Sequence, residues 1–290
     1  MKFFHILLQS WLVLVFLFTS GCGTSDLPDY NKLDSLRVIN IVANTPEVSP
    51  GDTVTLTPWV SDSKGSGRAL TYSAAACPDP GVGYGAEPTC EGSSKKVVLA
   101  TDLSVAGLNA ANAYTGPVNT LSVTIPSLDV VLAGHRPVEI YNGVAYLVTY
   151  TLKAANGPTL KSFKRIIVSS STKGAKNSNP TFNRILADES EISSYPDRDV
   201  DFKPEFAAGS EETYTAKQDD GAITSPGTDI TLTEELTTTW FITAGSVDRQ
   251  RTIGTQITKF SPEKPKPDVF RIIGVVRDGR GGVGIKDYTF

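Results

Sequence analysis

The sequence predicts an all-β protein built from two tandem β-sandwich domains. Short runs rich in β-branched residues recur along the chain, and in runs such as 53–60 the apolar side chains fall at every second position. That period is typical of a half-buried strand. Sequences rich in Gly and Pro separate the runs, and no long amphipathic helical pattern interrupts them. Residues 36–170 and 180–290 repeat a similar plan, which predicts one sandwich for each half.

The amino-terminal segment precedes both predicted domains. Residues 1–21 combine Lys2, a mostly apolar run over 3–18 and several small residues, which is the layout of a secretory signal peptide. The apolar run is shorter than the roughly 20 residues that a spanning helix needs. The small residues directly before Cys22 resemble the lipobox of bacterial lipoproteins. This resemblance implies cleavage before Cys22 and a diacylglycerol on its thiol, whereas an ordinary signal peptide would leave a free cysteine.

An acylated Cys22 would keep the protein on a membrane. Each buried CH₂ contributes roughly 0.8 kcal/mol, so two or three acyl chains bind a bilayer far more firmly than one. In the Gram-negative lipoproteins that the motif resembles, the next residue directs sorting, and Gly23 is not the aspartate of inner-membrane retention. The resemblance therefore implies the outer membrane, on its periplasmic or its surface face. Residues 22–35, which are polar, are predicted to form the lipidated terminus and a flexible tether.

The first domain is predicted to hold strands at 36–42, 53–60, 70–76, 121–125, 144–153 and 160–168. The Asn156-Gly157 pair between the last two strands accepts the positive φ of a tight turn, which predicts a hairpin. Residues 103–119 carry no clear apolar stripe and are predicted to form a loop.

Cys77 and Cys90 form an even pair once Cys22 is acylated, and an oxidising compartment favours a disulfide between them. The loop that they would close is rich in Pro and Gly and contains Tyr84, the candidate contact residue for a partner. The alternative is a metal pair. Zinc needs four ligands, and no histidine or second cysteine pair lies nearby in the sequence.

The second domain follows a small, polar linker at 171–179 and is predicted to hold strands at 182–186, 213–217, 236–243, 269–277 and 283–290. The turn sequence before 213–217 echoes the one before 53–60, which predicts that these two strands are counterparts. Trp240 is expected to fill the space between two sheets. The glycine-rich stretch 278–282 predicts a hairpin turn, because it lacks the Gly-Lys-Ser/Thr ending of a phosphate loop.

Four segments, 36–38, 50–56, 239–245 and 275–284, resemble parts of Ig-like or PKD-like bacterial lipoproteins. The resemblance touches both domains in short pieces and implies an immunoglobulin-like sandwich in each. This fold hosts many unrelated binding roles, so the resemblance implies architecture and not a particular activity.

Candidate catalytic and metal-binding residues are few. His135 is the one histidine after the signal segment, and Ser-His-Asp or Cys-His catalysis needs a histidine beside its nucleophile. No catalytic residue is therefore assigned. Asp197, Asp199 and Asp201 would share a side of an extended chain and could offer three carboxylates to Ca²⁺. The alternative is a solvated strand edge.

The formal net charge of −4 and the absence of a basic stripe argue against a nucleic-acid partner. The expected function is a non-enzymatic binding, adhesion or scaffolding module of the cell envelope, with a bilayer and a protein or glycan as partners and no cofactor. Two alternatives stay open. One is a hydrolase that uses carboxylates or a metal at the domain junction, and the other is an accessory subunit of an envelope complex.

Overall fold

Strands dominate the chain, and the predicted all-β class is confirmed. The computed structural model describes residues 30–81, 86–221 and 223–290. The signal segment, Cys22 and Tyr84 lie outside the described residues. Among the described residues, no helix combines the length and apolar character that crossing a membrane requires.

The first half contains nine strands in its described residues. They are β1 (Arg37–Ala43), β2 (Glu47–Val48), β3 (Thr53–Ser61), β4 (Leu70–Pro78), β5 (Val97–Ser104), β6 (Thr115–Pro117), β7 (Leu121–Thr124), β8 (Val144–Ala154) and β9 (Thr159–Val168). Three short helical pieces accompany them, a 3₁₀ turn Ala110–Asn112 and the α-helices Leu128–Val131 and Pro137–Asn142. The loop predicted over residues 103–119 is wrong in part, since these residues include the end of β5 and all of β6. Both are edge strands, which show little apolar alternation in the sequence.

The nine strands form two facing sheets. One sheet has the order β1-β3-β6, with β7 also paired to β3, and the other has the order β2-β9-β8-β4-β5. β1 pairs antiparallel with β3, whereas the next strand, β2, crosses to the other sheet and pairs parallel with β9. β1, β3 and β7 correspond to strands A, B and E of an immunoglobulin domain and lie in one sheet. β4, β8 and β9 correspond to strands C, F and G and lie in the other. The predicted immunoglobulin-like sandwich is therefore observed in this half.

The predicted hairpin between β8 and β9 is confirmed. Asn156 has a φ of 54° at its turn, and the two strands pair from Val144↔Val168 to Lys153↔Thr159. Inward-facing tyrosines of this sheet fill the core, where the rings of Tyr72 and Tyr150 stack at 5.3 Å.

The second half contains eleven strands in its described residues. They are β10 (Phe182–Ala187), β11 (Ser190–Glu191), β12 (Val200–Phe206), β13 (Thr213–Gln218), β14 (Thr228–Thr233), β15 (Thr237–Ile242), β16 (Ser246–Val247), β17 (Arg251–Ile253), β18 (Thr258–Ser261), β19 (Arg271–Arg277) and β20 (Val283–Thr289). The sheets β11-β10-β12-β18-β16 and β17-β15-β19-β20 form a second sandwich. Trp240 on β15 is fully buried and stacks on Phe202 of the opposite sheet.

The predicted equivalence of 213–217 and 53–60 is wrong. β3 pairs with β1, and its counterpart in the second half is β12, which pairs with β10. β13 pairs with β14 in a separate two-stranded sheet, called the ribbon below. The similar turn sequences mark turns and carry no information about pairing. Val200 and Phe202 of β12 are buried, as a core strand requires, whereas β13 has no fully buried residue.

A shared apolar cluster joins the two sandwiches, and residues 31–290 form one unit. From the first half it contains Leu33 and Ile39, and from the second half Phe241, Ile273, Val275 and Val283. The partly buried ring of Trp59 packs against this cluster. The structure thus places the ring of Trp59 where the sandwiches meet.

The predicted disulfide joins Cys77 and Cys90, whose Cα atoms are 5.7 Å apart. Together with Ala75 and Leu147 the two cysteines form a small buried cluster at the end of β4. The bond closes a loop of sequence separation 13 and thereby restricts the unfolded chain.

Replacing both cysteines with alanine is expected to lower the free energy of unfolding by about 3 kcal/mol, the chain-entropy value for a loop of this length. Urea unfolding under oxidising conditions measures this loss. Dithiothreitol should destabilise the wild type by a similar amount and leave the double variant unchanged. Equal stability of the wild type and the double variant under oxidising conditions would contradict the prediction.

Candidate functional site

A cleft of about 510 Å³ opens where the two sandwiches and the ribbon meet. We call it the junction cleft. Its walls include Glu47, Arg165, Ile167, Tyr214, Leu232 and Arg280. Charged side chains cluster beside and beneath it, and they come from both halves of the chain. The cleft and these charges are the candidate functional site.

Glu47 on β2 is the buried acid of the first half, with an exposed fraction of 2%. Its Oε1 accepts a hydrogen bond from Lys173 Nζ at 2.6 Å, and its Oε2 accepts one from the backbone N–H of Asn177 at 2.9 Å. Burial alone would raise the pKa of Glu47, but the hydrogen bonds from Lys173, Ser169 and Asn177 outweigh it and lower that pKa. Glu47 is therefore held as a carboxylate.

Arg280 is the central cation of the second half and lies in the turn between β19 and β20. Its Nη1 donates to Glu234 Oε1 at 2.8 Å, and its Nη2 lies 3.3 Å from Glu47 Oε2. The guanidinium also stacks over the ring of Tyr214, 3.8 Å from the centroid, a favourable cation–π contact. One side chain thus links the first sandwich, the second sandwich and the ribbon.

The segment that was predicted as a linker takes part in the same network. Lys173 and Asn177 are both buried, and Asn177 Nδ2 donates to Asp278 Oδ2 at 2.8 Å. Asp278 Oδ1 accepts from the backbone N–H groups of Arg280 and Gly282, which holds the turn in shape. We call Glu47, Lys173, Asn177, Glu234, Asp278 and Arg280 the junction network.

Lys164 on β9 also contacts the turn that contains Arg280. It is 8% exposed, and its Nζ donates to the carbonyl oxygen of Gly281 at 2.6 Å. Burial lowers the pKa of Lys164 to about 8, against a partial opposing effect of the Asp278 charge.

Lys164 should make stability depend on pH in the alkaline range. Between the folded pKa and the ordinary value near 10.5 the unfolded chain binds more protons than the folded chain, so stability rises with pH. Relative to Lys164→Met, the wild type should gain about 3 kcal/mol between pH 7 and pH 10.5. Paired urea titrations at the two pH values measure this gain, and groups common to both proteins cancel. A constant difference between the two proteins would contradict the assignment.

The tip of the ribbon is bound to the first sandwich by hydrogen bonds and an ion pair. Asn142, at the end of the helix Pro137–Asn142, donates from Nδ2 to the carbonyl oxygen of Lys217 and accepts from the Lys217 N–H, both at 2.8 Å. Arg136 forms a two-pronged ion pair with Asp219, with distances of 3.0 and 2.6 Å. A two-stranded ribbon is marginally stable alone in water, so these contacts hold it in place.

The other predicted site residues lie away from the cleft or outside the described residues. His135 is exposed, and its Nδ1 lies 3.3 Å from Glu139 Oε2. Asp197, Asp199 and Asp201 are exposed at the start of β12, where Asp199 forms an ion pair with Lys259 at 2.8 Å. In the described ranges, no group of three or more His, Cys, Asp or Glu side chains is arranged to hold a metal ion.

The carboxylates at the junction do converge, as a hydrolase would require, but they are occupied. Both oxygens of Glu47 accept hydrogen bonds, and Glu234 accepts from Arg280 and from the backbone N–H of Glu212 at 3.0 Å. The side chains of Glu47 and Glu234 are only 2% and 1% exposed. The arrangement neutralises buried charge and offers little room for a substrate to reach either acid.

Comparisons with known proteins give weak likenesses. No family model matches the chain, and no curated protein matches it. The periplasmic chaperone SfaE is 12% identical over 84% of this chain and 95% of that chain, with a TM-score of 0.27. The D0-D1 domain of intimin is 8% identical over 87% and 98%, with a TM-score of 0.20. At these TM-scores the likenesses carry no argument, and the fold class stands on the strand topology.

Proposed function

We propose that this protein is a non-enzymatic binding or scaffolding module of the bacterial cell envelope. The observation that carries the proposal is the junction network, which joins two sandwiches and a ribbon around an open cleft. Each charged member of that network is engaged by another charge or by a backbone N–H. Such a site is preorganised for contact, because its charges are compensated within the protein.

The envelope location is part of the same proposal and rests on the lipobox-like sequence before Cys22. An acylated Cys22 would anchor the sandwiches beside the outer membrane through the tether. Fractionation of cells that express wild type or Cys22→Ala tests this location. The wild type should sediment with outer membranes and the variant should become soluble. A variant that stays membrane-bound would show that the lipid anchor is wrong.

The binding role is tested by cross-linking in intact cells followed by detergent extraction and affinity purification. A module of this kind should retain a defined partner in stoichiometric yield, and an unrelated envelope lipoprotein serves as the control bait. Recovery of the protein alone, with cross-linker sites verified as reactive, would contradict the binding role. A large stable assembly recovered with it would favour the accessory-subunit alternative.

A hydrolase is the second candidate, and one observation favours it. Burial raises the pKa of Glu234 against its hydrogen bonds, whereas the pKa of Glu47 is lowered, and a pair with separated pKa values is typical of acid–base catalysis. Assays of glycoside, ester and peptide substrates with wild type and Glu234→Gln test this candidate. Turnover that disappears in the variant would support it, and absence of turnover in the wild type would count against it.

A further inference from the structure

The N–H and carbonyl groups along β13 point in directions that can be assigned residue by residue. In an antiparallel pair, backbone groups point alternately toward the partner strand and away from it. Lys217 gives both its N–H and its carbonyl oxygen to Asn142, so these groups point away from β14. Glu212 bonds through its carbonyl to the N–H of Glu234 and so points toward the second strand. Thr213 and Thr215, which alternate with such positions, therefore share the outward direction of Lys217.

A side-chain contact supports this direction independently. The hydroxyls of Thr213 and Thr233 lie 3.2 Å apart across the ribbon, the close approach typical of a pair without mutual backbone hydrogen bonds. Thr215 lines the junction cleft together with Asn142 and Gly143. Thr213 lines the neighbouring cavity of about 390 Å³, to which Thr215 also contributes. The outward groups of Thr213 and Thr215 therefore lie along an edge of β13 that borders both cavities, and in the described part of the chain no residue pairs with them.

The contact with Asn142 indicates which groups can bind the outward edge of β13. Its carboxamide presents one donor and one acceptor to Lys217 in the pattern that a peptide group of a neighbouring strand would use. The same edge continues for two more outward residues without a partner. A peptide backbone extended along it would continue the pairing that Asn142 begins, at about 3.3 Å per residue.

The cleft walls define the side chains of such a peptide. Each cation that lines the cleft is already paired inside the protein, Arg165 with Asp79, Lys173 with Glu47, and Arg280 with Glu47 and Glu234. The remaining wall includes Ile167 and Leu232, and Leu232 is 41% exposed. Uncharged side chains therefore match the cleft, because a charged one would find no unpaired opposite charge there.

We infer that the junction cleft binds an extended, uncharged segment of a partner protein, which adds a strand to the free edge of β13 at Thr213 and Thr215. The inference rests on the proposed binding function and names its site and the class of its partner. Strand addition is an established mode of peptide recognition, in which backbone hydrogen bonds supply affinity and alternate side chains supply specificity.

Thr215→Pro tests the inference because proline removes the one outward N–H at this position. Proline is tolerated on a strand edge whose N–H faces away from the ladder, so the ribbon should keep its pairing. Thr231→Pro is the matched control, since Thr231 lies directly opposite Thr215 and its N–H faces the other side of the ribbon. Random heptapeptides displayed on phage are selected on the wild-type protein, and the enriched peptides are synthesised and titrated against all three proteins.

The expected result is binding of uncharged peptides that weakens about tenfold with Thr215→Pro and stays unchanged with Thr231→Pro. Amide exchange at Thr213 and Thr215 should slow when the peptide binds the wild type, a readout that does not depend on the variant folding. Failure to enrich any peptide, or equal affinity for the two proline variants, would overturn the inference. A partner captured in cells by Thr215→Pro as well as wild type would overturn the site while leaving the binding function intact.

Discussion

Replacing Arg280 with methionine is expected to lower the free energy of unfolding by about 3 to 5 kcal/mol, the cost of breaking a buried ion pair from one side. The guanidinium contacts Glu47 and Glu234 and stacks on Tyr214. Without it, Glu234 keeps one backbone hydrogen bond for a carboxylate that is 1% exposed. The deficit should shrink as the pH falls, because protonation of Glu234 removes the uncompensated charge.

Arg184→Met is the matched control for Arg280→Met. Arg184 also pairs with a glutamate, Glu205, at 2.9 Å, but both side chains are well exposed. An exposed pair contributes little to stability, because water and salt screen it. Urea unfolding of the two variants at pH 7 and pH 5 compares them directly. Equal losses for both variants, or a deficit of Arg280→Met that grows toward low pH, would contradict the role assigned to the junction network.

Trp240→Ala is expected to cost about 3 to 5 kcal/mol, as for other large aromatic side chains removed from a core. The indole is fully buried between the sheets of the second sandwich, and its Nε1 donates to the hydroxyl of Thr252 at 3.0 Å. The substitution leaves a cavity and a buried hydroxyl without its donor. Both effects act against the folded state.

Trp240→Phe separates these two contributions. Phenylalanine keeps a ring between Phe182 and Phe202 but cannot donate to Thr252. It should therefore cost about 1 to 3 kcal/mol, the value for one unmade buried hydrogen bond. Urea unfolding of both variants gives the comparison. A loss for Trp240→Ala no larger than that for Trp240→Phe would mean that the core closes around the missing ring.

Long strands with regular alternation could be predicted from the sequence. The predicted strand 144–153 corresponds to β8, Val144–Ala154, because eleven residues of pleated chain display their period clearly. The ribbon was misassigned because a β-branched segment after a turn predicts a strand but not its partner. The sequence does not predict β5, because most of its residues are exposed and show no buried face.

The candidate site could not be predicted, because its members are distant along the chain. Glu47 and Arg280 are 233 residues apart in sequence, and neither stands in a local motif. Arg280 lies in a glycine-rich turn, and the hairpin predicted there is present between β19 and β20. The turn sequence does not indicate which charges Arg280 meets. The one local signal in the sequence is a charged residue between Gly279 and Gly281. In the structure Gly281 has a φ of 102° and passes close to Ile167 of the first sandwich.

The central claim is that the junction network and the shared apolar cluster hold the two sandwiches as one body. Differential scanning calorimetry of the purified protein tests this claim most directly. We predict a single transition whose calorimetric and van't Hoff enthalpies agree, as for a cooperative unit. Two resolved transitions, one for each sandwich, would contradict it.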